Sequence, residues 1–468
     1  MSGWSPRRLA LGCVAGMAIA TGGSWLRFAL QRDLRLDTHA WAFVIGTLVA
    51  GSGLALAGAC SLRLSDRSDA LSWRSLGVWT VALLGVALPS LALTSSDVFT
   101  NLAFGALSLN GQSPYLHAPA ELGGPLAALV PARWVHDPTP YGPLFHPVVG
   151  LAAWIGDSAG SPLWASFFAY KALLACAVAA GLTLAARHLW RTRPSEARST
   201  FVLLALGPVL GWEVAAQGHN DGLLFLSGVA FVTAAAAGRD ALAVAALAAG
   251  VAVKYAMAPL LGLFLVLRGR RSPARAAVLG LLALGVLGAA FVWEGRGVTL
   301  RAVLPMVGGE AARHAHSLTD LVCLALDALA LPEASRLAYR VLSAGSGLLA
   351  IALLARAALR ATSLEELARG YLVFLFGLFL TTPWFQPWYA SWTLPLLLVE
   401  RDAAWRRFAA TFAALAMASW ALPLDPVTNV ALDVWALVRL WKLRGSTTAA
   451  GAPGVPPDGA CYPAPPAS

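Results

Sequence analysis

Three groups of polar residues have types and spacings that could do chemistry in an otherwise apolar chain. The first is Asp97, in Ser95-Ser96-Asp97-Val98-Phe99. A carboxylate held at the mouth of an apolar environment is partly desolvated and well placed to act as a general base. The same spacing suits a helix start, because Ser95, Ser96 or Asp97 can cap a helix running from Val98 to Leu109. The two roles are compatible. The second group is Gln217-Gly218-His219-Asn220-Asp221, with Glu213 one turn upstream. Asn220 or Asp221 can cap a helix from Gly222, which accounts for one or two of these side chains and leaves the others open to a functional role. The third is Lys254, inside an apolar run, where a charge is costly unless it is paired, snorkels or lines a wet cavity. A fixed cation there could serve an anionic ligand such as a lipid phosphate. His314 and His316, in Arg313-His314-Ala315-His316-Ser317, could serve the same anion or belong to a solvated loop.

Aromatic residues accompany these groups. Thr381-Thr382-Pro383-Trp384-Phe385-Gln386-Pro387-Trp388-Tyr389 reads either as an interfacial aromatic belt or as a rigid wall for a sugar or lipid chain. Trp134, Tyr115 and Tyr141 admit the same two readings. They lie in the long polar segment 95–147, which holds no run long enough to span a bilayer. Loops of that length in compact proteins are usually functional or disordered, and the density of aromatic residues and prolines argues for function.

The elements that must position these residues follow from composition. Of 468 residues, 58% are hydrophobic and 12% charged, against about 25% charged in soluble domains. Apolar runs lie near 9–30, 40–60, 75–94, 162–186, 199–214, 222–238, 241–267, 276–293, 336–355, 370–383, 388–399, 408–423 and 427–441. This is the pattern of an all-α polytopic membrane protein. The net charge of +10 does not indicate nucleic acid, because the arginines sit in short loops between apolar runs, the positive-inside pattern. Pro6-Arg7-Arg8 and the apolar residues after it read as an uncleaved first span. The five cysteines show neither metal spacing nor a disulfide framework.

Loop charges orient the runs. The arginine-rich loops form one set, taken as cytoplasmic, while 95–147, 213–221 and 381–388 carry almost no Lys or Arg and fall on the other face. A single helix over 241–267 would break this alternation. A hairpin of two short arms turning at Lys254-Tyr255-Ala256, ahead of Pro259, restores it and puts Lys254 on the outer side. About fourteen helical passes result, with both termini cytoplasmic. The transmembrane domain is expected over 1–444, and the Pro-, Ala- and Gly-rich tail 445–468 is expected to be disordered. No nucleotide-binding or metalloprotease motif occurs, so nucleotide-driven chemistry is disfavoured.

In their order these motifs resemble the GT-C superfamily of integral-membrane glycosyltransferases, and most closely the bacterial polyprenol-phosphate-mannose-dependent α-1,6-mannosyltransferases. The resemblance rests on Ser95-Ser96-Asp97-Val98-Phe99, Gly111-Gln112-Ser113-Pro114-Tyr115, Trp134 and Pro140-Tyr141-Gly142-Pro143-Leu144. It continues through Gly218-His219-Asn220-Asp221, Lys254 and Pro383 to Tyr389. It implies a bundle of about 11–14 transmembrane helices whose large first external loop contains an amphipathic helix. It also implies inverting transfer of a sugar, mannose in the nearest relatives, from a polyprenyl-phosphate donor to a glycan or glycolipid acceptor on the extracytoplasmic face of the cell membrane. Asp97 would be the base. Lys254, His314 and His316 would meet the donor phosphate. Tyr115, Trp134, Tyr141, His219, Asn220, Asp221, Trp384, Trp388 and Tyr389 would contact sugar, acceptor or lipid. Asp97 stands alone where many such enzymes carry two adjacent acids, so no metal or other cofactor is expected. The rival readings are a lipid-linked-sugar flippase or other transporter, and a non-catalytic scaffold. Both are disfavoured because the polar groups collect on one face.

Overall fold

The structure, a computed structural model, describes residues 3–35, 40–294, 317–382, 385–421 and 427–449, and every element among them is helical. Backbone groups in lipid must be satisfied internally, and Ala-, Leu- and Val-rich runs do this as helices. In chain order these are α1 (Pro6–Gln31), α2 (Ala40–Ser65), α3 (Trp73–Ala87), α4 (Asp97–Leu109), α5 (His146–Ser158), α6 (Trp164–Thr192), α7 (Ala197–Ala205) and α8 (Asp221–Ala236). Then come α9 (Asp240–Val253), α10 (Ala258–Gly269), α11 (Pro273–Glu294), α12 (Leu318–Ala328), α13 (Pro332–Arg360), α14 (Leu364–Thr381), α15 (Ala403–Ala421) and α16 (Val427–Ala449).

Among the described residues, five helices (α1, α2, α6, α11 and α13) are long and apolar enough to cross a membrane. A sixth span arises if α7 and the following π-helical turn Leu210–Ala216, bent by 41°, count as one. Shorter apolar helices are α3, α4, α8, α9 and Tyr255–Gly269. The all-α polytopic architecture is thus observed. α11 and α13 turn large apolar side chains outward, among them Leu281, Leu284, Leu348 and Ile351, as helices facing lipid do.

α1 and α2 pack through small residues. Gly16 lies against the backbone of Gly53 and Ala57, and Gly23 against Gly46 and Ala50. Such contacts let helix backbones approach closely where lipid offers no hydrophobic drive for association. The pair supports α3 and the polar turn beyond it.

The breaks have local causes. Pro208 interrupts the run 199–214, because proline lacks an N–H and clashes with the preceding turn. The run 241–267 is two helices, as the loop charges require, with Lys254 extended between them at φ −157° and ψ 126°. The two arms are tied at their far ends by an ion pair between Arg268 and Asp240, 2.9 Å apart. The run near 388–399 is a 3₁₀ helix, Pro387–Leu398, with Pro395 inside it. The last helix continues to Ala449, so the boundary expected at Gly445 falls within a helix. An established helix extends at one hydrogen bond per residue added.

Candidate active site

The approach to Asp97 is built first. Between α3 and α4 the chain runs through 90–96 with no helical hydrogen bonds of its own, at a depth where the residues are buried. Four buried polar side chains satisfy it, Ser24 of α1 accepting the Leu91 amide at 3.0 Å. Lys171 of α6 donates to the Ser90 carbonyl. Arg27 of α1 donates to the Ala92 carbonyl at 2.7 Å. Gln217 accepts from the Leu93 and Thr94 amides at 2.8 and 3.1 Å and donates to the Leu91 carbonyl at 3.2 Å. Irregular backbone at membrane depth survives only with such partners. Gln217→Leu is therefore expected to lose about 1–3 kcal/mol per orphaned group. It should also slow turnover by about 10²-fold through misplacement of Asp97, with hydrogen exchange rising at 91–97. Normal exchange in that segment would refute the clamp.

Asp97 itself begins α4. Ser96 occupies the cap position but its side chain makes no capping bond, and Ser95 Oγ accepts the Asp97 amide at 3.1 Å. The carboxylate is not spent on capping and points into the site, 22% exposed, with Oδ2 3.8 Å from His219 Nδ1. Asp97 and His219 both lie outside the spanning helices. Burial pushes the Asp97 carboxyl above its usual range, against the pull of Arg133 and Lys254 and with added repulsion from Asp221. Burial and the charge of Lys254 hold the His219 imidazole well below its usual pKa, so it is neutral at pH 7.

The loop 210–221 presents the second group. Leu210–Ala216 is a π-helical turn, a geometry frequent at functional sites. Gly218 then adopts φ +77°, a conformation that favours glycine. The His219 amide donates to the Glu213 carbonyl at 3.0 Å, fixing the two residues as one unit. His219 is buried and stacks on Trp388 at 3.7 Å, and its Nε2 faces Glu213 Oε2 at 3.4 Å. Asp221 does not cap α8 in the usual way. Its carboxylate accepts from Lys254 Nζ at 3.1 and 3.3 Å and from Trp392 Nε1 at 2.5 Å. Asn220 is buried beside it.

Lys254, 14% exposed in its side chain, sits in an aromatic cage. Its ammonium lies 5.0 Å from the ring centre of Tyr389, 5.3 Å from Trp392 and 5.9 Å from Tyr141. The helix break that exposes Lys254 leaves last-turn carbonyls of α9 without helical partners, and the long loop fills them. The Gly142 amide donates to the Val253 carbonyl and the Leu144 amide to the Ala252 carbonyl, each at 2.9 Å. Tyr255 donates to the Pro140 carbonyl, and Tyr115 to the Tyr141 carbonyl at 2.9 Å. A methyl group at Gly142 would overlap the Ala252 carbonyl. Gly142→Ala is expected to cost about 1–3 kcal/mol, measurable as a lowered unfolding midpoint, and to weaken activity by shifting Tyr141.

The fold thus brings Asp97, Tyr141, His219, Asp221, Lys254, Trp388 and Tyr389 into one cluster of contacts, with Tyr115 donating to the Tyr141 carbonyl. Trp134 carries Arg133 over its ring at 5.2 Å. His314, His316 and Trp384 lie outside the described residues. Sequence reasoning missed Arg133, whose charge reaches Asp97, and Trp392, one turn beyond Tyr389. It also missed buried Lys171, although a lysine inside the apolar run 162–186 is the same signal that identified Lys254.

With this geometry in place, comparison with known proteins is informative. The sequence model described as "Alpha-(1->6)-mannopyranosyltransferase, N-terminal domain" matches residues 9–270. That span holds Asp97, Arg133, Glu213, His219, Asp221 and Lys254. Alpha-(1->6)-mannopyranosyltransferase B of Corynebacterium glutamicum is 32% identical over 168 residues, 35% of this chain and 26% of the relative. An alpha-(1->6)-mannopyranosyltransferase of Mycobacterium tuberculosis is 32% identical over 166 residues, 33% of this chain and 26% of the relative. The matched region spans about a quarter of the length of these curated relatives. No solved structure gives a significant match.

Proposed function

The chain belongs to the alpha-(1->6)-mannopyranosyltransferase family, and from that premise we propose that it is a multi-pass membrane glycosyltransferase. It moves mannose from a polyprenyl-phosphate donor to a glycan or glycolipid acceptor on the extracytoplasmic face of the cell membrane. The observation that carries this reading is the juxtaposition of Asp97 with the caged cation Lys254. One is a carboxylate made more basic by burial, and the other is a cation close enough to act on it electrostatically. Together they provide a proton acceptor and an anion site at one cavity.

The chemistry is an inverting displacement. Asp97 takes the acceptor hydroxyl proton as that oxygen bonds to the anomeric carbon, and the bond from that carbon to the phosphate oxygen breaks with its electron pair. Lys254 and Arg133 meet the charge that builds on polyprenyl phosphate, with His314 and His316 as further candidates. A positioned base contributes about 10²–10⁴-fold, and fixed charge aimed at the leaving group commonly contributes more. Tyr115, Trp134, Tyr141, Trp388 and Tyr389 form the wall for sugar and lipid, while Asn220 and Asp221 shape its floor; Trp384 is a further candidate. The absence of Lys and Arg from most of the site-bearing loops supports an outward-facing cavity.

The test is purified protein in lipid nanodiscs with synthetic polyprenyl-phosphate mannose and a short mannoside acceptor. Transfer with stoichiometric release of polyprenyl phosphate and an α-linked product is expected. Donor translocation without cleavage, or transfer from a nucleotide sugar alone, would overturn the reading.

A further inference from the structure

Behind Asp97 lies a buried polar chain that the displacement above does not use. Asp97 Oδ2 is 3.8 Å from His219 Nδ1, and His219 Nε2 is 3.4 Å from Glu213 Oε2. The side chains of His219 and Glu213 are 3% and 2% exposed. Their facing atoms, Nε2 and Oε2, are both buried without a hydrogen-bond partner of standard geometry. An unpaired carboxyl oxygen and an unpaired ring nitrogen turned toward each other in the protein interior are costly as they stand. A small closure would make them a hydrogen bond. The π turn and the backbone bond from the His219 amide to the Glu213 carbonyl hold the two side chains in register. The stack on Trp388 fixes the imidazole plane.

We infer that His219 and Glu213 form a proton relay that draws the acceptor's proton away from Asp97 into the protein. The inference rests on the glycosyl-transfer reading and deepens it. Burial and the neighbouring Asp221 and Asp97 carboxylates raise the Glu213 carboxyl to about 8, so the relay runs from its ionised fraction: there Glu213 is a carboxylate that accepts Nε2–H of a neutral imidazole, leaving the Nδ1 lone pair toward Asp97. When Asp97 takes the proton of the acceptor hydroxyl, its new O–H faces that lone pair. The proton passes from Asp97 Oδ2 to His219 Nδ1 as the Nε2 proton passes to Glu213 Oε2. The glycosidic C–O bond has then formed, the bond to phosphate has broken, and the released proton sits on Glu213. Asp97 is again a carboxylate, so back-transfer to the product oxygen is suppressed. The proton later returns along the same path and leaves through the exposed edge of Asp97. Neither His219 nor Glu213 touches substrate; both are positioning residues acting through Asp97. The other charged groups facing this chain are Arg133 from the long loop, Lys254 from the helix break and Asp221 from α8. Lys254 and Asp221 are paired with each other.

The experiment is single-turnover mannosyl transfer from preloaded synthetic polyprenyl-phosphate mannose, in nanodiscs, across mixtures of H2O and D2O. For the wild-type protein the rate should depend on deuterium fraction with the upward curvature of two or more protons in flight. A linear dependence, or none, overturns the relay. Glu213→Gln keeps the shape but cannot take a proton. Its chemical step should slow by about 10–100-fold, the lower range for acid–base groups, with unchanged donor affinity and a linear isotope dependence. Adding His219→Gln to Glu213→Gln should cost little more, since one broken link disables the chain. A wild-type rate in Glu213→Gln, or additive losses in the double variant, overturns the relay. If Glu213→Gln does not fold, the wild-type isotope curve decides alone. Intact donor in the presence of wild-type protein would instead remove the glycosyl-transfer reading itself, so the two failures are distinguishable.

Discussion

Asp97→Asn is expected to reduce turnover by about 10²–10⁴-fold while leaving the protein folded and, near neutral pH, slightly more stable. The two effects share one cause. The carboxylate begins α4 with its backbone amide already satisfied by Ser95 Oγ, so the substitution removes no cap. Burial makes the charged form unfavourable and lifts its pKa above the ordinary carboxylate range, which is about 3.9 for an unperturbed aspartate. A folded-state pKa above the unfolded value means that the folded state binds the proton more tightly. Stability from this group is therefore fully present below the unfolded pKa and lost as pH rises through the folded one. An amide never bears the charge, so Asp97→Asn escapes that loss. Activity has the opposite pH dependence, because a general base must be ionised. The rate should rise as pH passes upward through the raised pKa, with the inflection above that of an exposed carboxylate. Turnover against pH and thermal unfolding of both proteins at pH 5 and pH 7.5 test the pair of claims. A variant with wild-type turnover would remove Asp97 as the base. A variant less stable than wild type at the higher pH would mean that the carboxylate is structural.

The site was partly legible in the sequence because charge stands out in an apolar chain. Asp97, the group 217–221 and Lys254 each interrupt apolar surroundings, and all three meet in the fold. The α9–α10 break was legible from loop charge, since an unbroken helix would have carried Arg268 to Arg275 across the membrane. Partner choice was hidden. Asp221 and Lys254 are 33 residues apart, and nothing in their spacing says that they pair at 3.1 Å. Asp221 read as a cap because acidic residues favour helix starts, yet a half-buried ammonium and the Trp392 indole claim its oxygens instead. Arg133 was hidden for the opposite reason: an arginine in a polar loop beside a tryptophan carries no signal until the loop folds over the site. The long 3₁₀ helix Pro387–Leu398 read as an ordinary span because its residues are apolar. Its proline at 395 packs against Gly228 of α8, a contact that periodicity does not reveal.

That hidden pair makes the strongest separable prediction. Lys254→Met should cost about 3–5 kcal/mol of stability, because it leaves the fully buried Asp221 carboxylate without its counter-charge. The Trp392 indole still donates to Asp221 but supplies no charge. Turnover should fall by about 10²–10³-fold, the usual loss when one fixed group facing a developing charge is removed. Alone, this result would not distinguish a damaged site from a missing phosphate ligand. Asp221→Asn combined with Lys254→Met does. The asparagine can still accept from Trp392, no charge is stranded, and replacing both members of a buried ion pair by neutral groups is often close to neutral for stability. The double variant should therefore regain most of the unfolding free energy while its turnover stays low, since nothing has replaced the cation. Donor affinity should weaken in both variants, and a phosphate-free lipid glycoside should compete equally well with donor on wild type and variants. Recovery of turnover together with stability would reduce Lys254 to a structural counter-ion for Asp221. Stability restored without turnover is the signature of a lysine held by an aspartate and an aromatic cage so that its charge can act on a departing anion.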